Sequence, residues 1–214
     1  MSQEAQEIHA RERLQELLAA AGLRPLREAA LARFEAYLSL FLRWNTRTNL
    51  SAVRDAEGIL QRHFVESIAC AQFLPVNVGN LLDFGSGGGF PGIPIAICRP
   101  EIAVTLAESQ GKKTAFLREV VRTLEIPAQV HGDRAERLQH RFDCVILRAV
   151  DRMERAVAAA AGLMTEAGCL VLMTTRREAQ VLQAAAGPEF IWDNPLPLPG
   201  STDRVIVIGR HGSR

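Results

Sequence analysis

A single tyrosine, four cysteines with no C-x-x-C pair and a net charge of only +1 over 214 residues are the first things this chain is short of. Each scarcity excludes something. Cys70, Cys98, Cys144 and Cys169 are scattered among apolar neighbours, so reduced core thiols are expected, not a disulfide framework, and a cytoplasmic home. The five histidines, His63 and His131 among them, fall at no metal-ligand spacing, and no metal is expected. No apolar run is long enough to cross a bilayer, and Met1 to Arg13 is polar, without the apolar core of a signal peptide; no membrane partner is expected. Near-neutrality removes any electrostatic case for nucleic acid from the total charge, so such a site must come from local clustering. No conspicuous apolar stripe is left over for self-association, which makes a monomer the expectation.

What is present is ordinary globular material, 48% hydrophobic and 23% charged, enough for one large domain or a domain with a small appendage. The stretch that organises it is Leu81-Leu82-Asp83-Phe84-Gly85-Ser86-Gly87-Gly88-Gly89-Phe90-Pro91-Gly92-Ile93-Pro94. A short apolar strand runs into a carboxylate, then glycines, then prolines suited to a helix start. Glycines permit positive φ and let a ligand lie against the backbone where a Cβ would block it. Asp83 could orient the turn or accept bonds from a ligand's polar tail.

Two ligands compete for this loop. Gly87, Gly89 and Gly92 satisfy G-x-G-x-x-G, with Glu108 near the place of a ribose-binding acid, as in nicotinamide-dependent oxidoreductases. Against that, Pro91 and Pro94 crowd the turn where a pyrophosphate wants free N–H groups. The chain also lacks a Tyr-x-x-x-Lys pair and has little length for a second substrate domain. The phase Asp83-Phe84-Gly85-x-Gly87-x-Gly89 fits S-adenosylmethionine, which has no phosphate, and this reading is favoured.

Along the chain, residues 1–75 read as an amphipathic helical cap. Leu14, Leu17, Leu18 and Ala21 share a face, with Gly22 as the stop; Leu26 to Leu42 repeats at three and four; Ile59 to Phe73 forms a third helix ending before Pro75. The aromatics Phe34, Tyr37, Phe41, Phe64 and Phe73 are expected to be core. Between helices two and three, Arg43-Trp44-Asn45-Thr46-Arg47-Thr48-Asn49-Leu50-Ser51 breaks the periodicity; Asn45 and Asn49 could meet a ligand or merely organise a turn.

From residue 76 to 214, strands at Leu81 to Phe84, Ile102 to Ala107, Ala128 to His131, Asp143 to Leu147 and Cys169 to Met173 alternate with helices, and Phe190 to Trp192 and Arg204 to Ile208 follow without one. The expected fold is α/β, a seven-stranded, mostly parallel, Rossmann-like sheet covered on both faces and ending in an antiparallel hairpin. Ligands of such sheets lie beyond the carboxyl ends of the strands. Glu108 ends strand two, Asp133 to Glu136 follow strand three, and Arg148 ends strand four. Lys112, Lys113, Arg118 and Arg122 lie on a helix starting at that edge; it could track phosphates or be a solvated face.

Trp44-Asn45-x-x-x-Asn49-Leu50, Arg62-His63-x-x-x-Ser67-Ile68, the glycine loop running into Phe90-Pro91-Gly92-Ile93-Pro94, Glu108-Ser109-x-x-Lys112-Lys113-x-x-Phe116-Leu117-Arg118 and Arg148-Ala149 together resemble the bacterial small-subunit ribosomal RNA methyltransferase G family, also called glucose-inhibited division protein B. The resemblance implies a class I S-adenosylmethionine-dependent fold and methylation of N7 of one guanine of 16S rRNA (position 527 in the usual rRNA numbering), in the 30S subunit or an assembly intermediate. It implies Gly85, Phe90, Ala135, Glu136 and Arg148 at the cofactor, beside Asp83, Gly87 and Gly89 of the loop, with Glu108 in the ribose place. On the RNA side it implies Lys112, Lys113, Arg118, Arg134 and Arg204, beside Asn45 and Asn49. No catalytic base is implied. Thr174 stands where the family leads one to expect a lysine, with Arg176 nearby to replace it, and Glu108 where an aspartate is common.

Overall fold

The computed structural model describes residues 3–212, with side chains from His9 onward. Helices α1 (Gln3–Ala20) and α2 (Glu28–Asn45) are followed by one continuous helical passage: α3 (Ala56–Ile59), a π-helical segment (Leu60–Val65) and α4 (Glu66–Phe73). Then come β1 (Asn80–Phe84), α5 (Gly92–Cys98), β2 (Ala103–Ala107), α6 (Gly111–Leu124), β3 (Ala128–His131), a 3-10 turn (Ala135–Arg137) and β4 (Phe142–Arg148). The chain continues through α7 (Met153–Ala161), β5 (Met164–Thr175), α8 (Arg176–Ala186), β6 (Phe190–Trp192), β7 (Leu196–Pro197) and β8 (Arg204–His211).

The sheet runs β3-β2-β1-β4-β5-β8-β6, with β1 to β5 parallel and β8 antiparallel to β5 and β6. The order reverses between β1 and β4, which sets a ligand crevice at their carboxyl ends. The terminal hairpin is present, but its return strand β8 inserts between β5 and β6. An eighth strand, β7, pairs with β8 through only Leu196↔Ile206 and Pro197↔Val205. Prolines 195, 197 and 199 have no N–H to give a ladder, so this edge pairs no further.

Side-chain alternation divides the core. Leu81, Cys144, Ile146, Val171, Ile206 and Ile208 face α1 to α6, while Leu82, Phe84, Val145, Leu147, Leu170, Val205 and Val207 face α7 and α8. The same period of two places Asp83, Arg148 and Arg204 on the face covered by α1 to α4. Those helices share one hydrophobic core with the sheet, including Leu14, Phe34, Phe41 and Phe64. Phe73, expected in that core, is exposed at the C-terminal end of α4. No helix among the described residues is long and apolar enough to cross a membrane. The four cysteines are free, with Cys70, Cys144 and Cys169 buried.

Candidate functional site

The glycine loop leaves β1 and is built from backbone constraints. Gly85, Gly87 and Gly89 hold φ of +74°, +55° and +89°, the left-handed region that side chains resist. A Cβ on Gly88 would stand 2.8 Å from the Phe41 ring, and Tyr37 Oη–H donates to the Gly88 carbonyl at 2.5 Å. The cap thus presses the loop from behind. Phe90 is buried in the same aromatic group, its ring stacked on His63 with centroids 4.8 Å apart and near Tyr37 and Phe41, each at 5.2 Å.

The start of α5 offers nothing to a phosphate. Gly92 N–H donates to Asp83 Oδ2 (3.0 Å), Ile93 N–H to the Gly89 carbonyl (2.9 Å) and Ile95 N–H to the Pro91 carbonyl (3.0 Å); Pro91 and Pro94 have no N–H. Asp83 is therefore the loop's internal anchor and not a ligand contact as expected, being 1% exposed. Burial pushes its carboxyl up to about 7, against the Gly92 N–H that favours the anion.

Between the loop and β2 lies a cleft of about 380 Å³ lined by Gly85, Gly87, Gly88, Phe90, Glu108, Ser109, Gln110, Lys113, Arg148, Ala149 and Val150, with His63 at its cap side. Glu108 Oε2 accepts from Gly87 N–H (3.0 Å) and Oε1 from Gln110 N–H (2.7 Å). Each oxygen keeps a lone pair for a further donor. A second cavity of about 840 Å³ adjoins it and shares His63, Arg148, Ala149 and Val150 as a common wall. It is rimmed by Arg62, Arg152, Arg155, Arg177 and Arg204. Ala149 turns the chain there at φ +51°, strain of the kind stored at functional sites.

Arg148 stands at the junction. Its Nη2 donates to Glu66 Oε2 (2.7 Å) and the Arg62 carbonyl (2.8 Å), and lies 3.3 Å from His63 Nδ1. On the other side of the ring, Nε2 lies 2.6 Å from Ser51 Oγ. Burial and the neighbouring arginines hold His63 down at about 3, hence neutral. Burial draws Arg148 below its ordinary value, with Glu66 opposing.

The expected site residues do not all meet here. Gly85, Gly87, Phe90, Glu108 and Arg148 line the smaller cleft; Gly89 is buried behind it. Ala135 is packed in the core on the α7–α8 face and Glu136 is exposed; neither lines the cleft, so their assignment to the cofactor lacks support. Asn45 is corrected from an RNA contact to a loop organiser. It is 3% exposed, with its amide donating to the Val53 carbonyl (2.9 Å) and its Oδ1 accepting from Leu50 and Ser51 N–H, both at 3.0 Å. Asn45→Ala is expected to destabilise the fold by about 2–4 kcal/mol, because it strands buried backbone groups; urea denaturation measures it. Asn49 is exposed and accepts from Arg54 Nη2 (2.6 Å).

Lys112, Arg118 and Arg134 are exposed, and Lys113 half-buried at the cleft rim; Arg204 lies in the larger cavity and pairs with Glu66 Oε1. Thr174 lines that cavity, bonded to Glu178 Oε2 at 3.1 Å. The cation lining the cavity with it is Arg177; Arg176, exposed at the start of α8, is not among the lining residues. Sequence reasoning missed Glu66 altogether. The one signal was a carboxylate interrupting an otherwise apolar stretch, Phe64-Val65-Glu66-Ser67-Ile68.

A glycine cradle at the switch point of a parallel sheet, an acid closing the next strand and a helix start without free N–H groups fit S-adenosylmethionine and define a class I S-adenosylmethionine-dependent methyltransferase. The fold is similar to that of a TehB-like SAM-dependent methyltransferase from Corynebacterium glutamicum, with a TM-score of 0.53, covering 70% of this chain and 88% of that one at 14% identity. More narrowly, the chain belongs to the rRNA small subunit methyltransferase G family, whose profile matches residues 30–191. It is 38% identical over 181 residues to the ribosomal RNA small subunit methyltransferase G of Xanthomonas euvesicatoria, covering 82% of this chain and 84% of that protein. To the protein of the same name from Stenotrophomonas maltophilia it is 39% identical over 192 residues, covering 87% and 88%.

Proposed function

We propose that this protein transfers a methyl group from S-adenosylmethionine to N7 of a guanine in 16S rRNA, presented by the 30S subunit or an assembly intermediate, and that it works as a cytoplasmic monomer. The observation that carries the cofactor reading is the start of α5. Its N–H groups are all engaged, Gly92's by the buried Asp83, which leaves no donor for a pyrophosphate and favours a phosphate-free cofactor.

Bound in the 380 Å³ cleft, S-adenosylmethionine supplies an activated methyl group. Glu108 would hold the ribose hydroxyls and the Gly85–Gly88 backbone would flank the rest. The target would enter the 840 Å³ cavity, where Arg62, His63 and Glu66 of the helical cap form one wall. Guanine N7 carries an in-plane lone pair and no proton, so the chain needs no base. Alignment and exclusion of water supply most of the rate. A stacked guanine cannot present N7 in line, so an unpaired or swung-out base is required. The ring gains positive charge, and Arg148, clamped to Glu66, is kept from facing it as a free cation.

Titration calorimetry with S-adenosylmethionine and, separately, NADH tests the cofactor assignment. Binding of the sulfonium cofactor alone is expected; NADH binding alone would turn the reading into an oxidoreductase, and binding of neither into a non-catalytic RNA-binding module. Lys112, Arg118 and Arg134 lie exposed with no ion pair among the described residues, as phosphate contacts require. Arg118→Ala is expected to raise the KM for RNA about three- to tenfold, one phosphate contact's worth, while leaving cofactor affinity unchanged. Filter binding and calorimetry separate the two.

A further inference from the structure

One helical passage of the cap surrounds a single guanidinium. Residues 62 to 67, spanning the π-helical segment and the first turn of α4, offer the Arg62 carbonyl, His63 Nδ1, Glu66 Oε2 and Ser67 Oγ to Arg148, at 2.8, 3.3, 2.7 and 3.3 Å. π-helical turns recur at functional sites because they shift side chains out of the α register. Glu66 is 0% exposed, and its second oxygen accepts from Arg204 Nε at 2.7 Å. It thus ties the end of β4 and the start of β8 to the cap. Guanidinium N–H groups on both oxygens favour its carboxylate form, against burial, which pushes its carboxyl up. Glu66 is the anion between Arg148 and Arg204, with Arg62 a further cation on the same cavity, beside a cleft whose ligand carries a sulfonium.

Resting on the methyltransferase reading, we propose that Glu66 is a positioning residue that pins Arg148 at the wall between the two cavities and cancels its charge, so that the cofactor cleft accepts a cationic sulfonium and not only its neutral thioether product. Arg148 borders both cavities; left unpaired, it repels whichever cation enters either of them.

The test is the ratio of dissociation constants for S-adenosylmethionine and S-adenosylhomocysteine, which differ in the sulfonium charge. In Glu66→Gln the cluster gains one net positive charge, and the ratio is expected to shift against S-adenosylmethionine by about 3- to 10-fold, as expected for one added charge a few ångströms beyond contact in a partly wet cleft. In Arg204→Gln the cluster loses one positive charge with the Glu66–Arg148 pair intact, and the ratio is expected to shift the other way by about 2- to 5-fold. A merely structural role would weaken both ligands together. Equal weakening in Glu66→Gln, or an unchanged ratio in Arg204→Gln, overturns the proposal, and the second variant decides alone if the first does not fold. Failure of the wild-type protein to bind either ligand would instead reject the cofactor assignment beneath it.

Discussion

Glu108→Ala is expected to lower S-adenosylmethionine affinity about 30- to 100-fold. Two effects add. The carboxylate holds the loop from its far side, through Gly87 N–H at 3.0 Å, and fixes the start of α6 through Gln110 N–H at 2.7 Å. Its remaining lone pairs point to a cleft where a ribose presents two hydroxyls. A hydrogen bond to a charged acceptor is worth about 1.5–3 kcal/mol, and losing about 2–2.7 kcal/mol corresponds to that range of affinity. Glu108→Asp, which keeps the charge and shortens the reach, is expected to lose less. Calorimetry on the three proteins measures it, and a change below threefold in Glu108→Ala would take this residue out of the site.

Gly89→Ala is the substitution expected to damage the fold most. A Cβ there would collide with Ile93 Cδ1 and stand 2.8 Å from Tyr37 Oη, at φ +89°. Neither neighbour can step aside: Ile93 and Tyr37 are both fully buried, and the Tyr37 hydroxyl is tied to Gly88. Left-handed strain of about 1–2 kcal/mol and overpacking of about 1–3 kcal/mol give a loss of about 2–5 kcal/mol. Gly87→Ala is the matched control. Its φ is +55° but its nearest neighbour, the Gly85 carbonyl, is 3.9 Å away, so only the strain is felt. Urea denaturation of both variants should separate them by more than 1 kcal/mol, and equal stability would mean that the cap does not press on the loop.

Much of this was written in the sequence because local rules and fold agree there. The helix Gly92 to Cys98 and the strand Ala128 to His131 have the bounds that glycine, proline and apolar runs dictate. Where tertiary partners decide, the sequence was silent. β5 begins at Met164 and not at Cys169, because Thr165-Glu166-Ala167-Gly168 hides the apolar pattern. The insertion of β8 between β5 and β6 is a long-range pairing that no local periodicity reports.

The site divides in the same way. Glycines and Glu108 announce themselves by type and spacing. Asp83 and Asn45 look like ligand contacts only until their backbone partners are known. Glu66 reads as a surface helix residue, since the arginines that make its burial tolerable lie 82 and 138 positions away.

Transfer of tritiated methyl from S-adenosylmethionine to 30S particles lacking this modification, followed by mapping of the labelled nucleotide, tests the central claim most directly. Label confined to N7 of one guanine of 16S rRNA, lost in Glu108→Ala, is the expected result. Label on a ribosomal protein, on another base or ring atom, or none at all from a protein that binds S-adenosylmethionine, would contradict it.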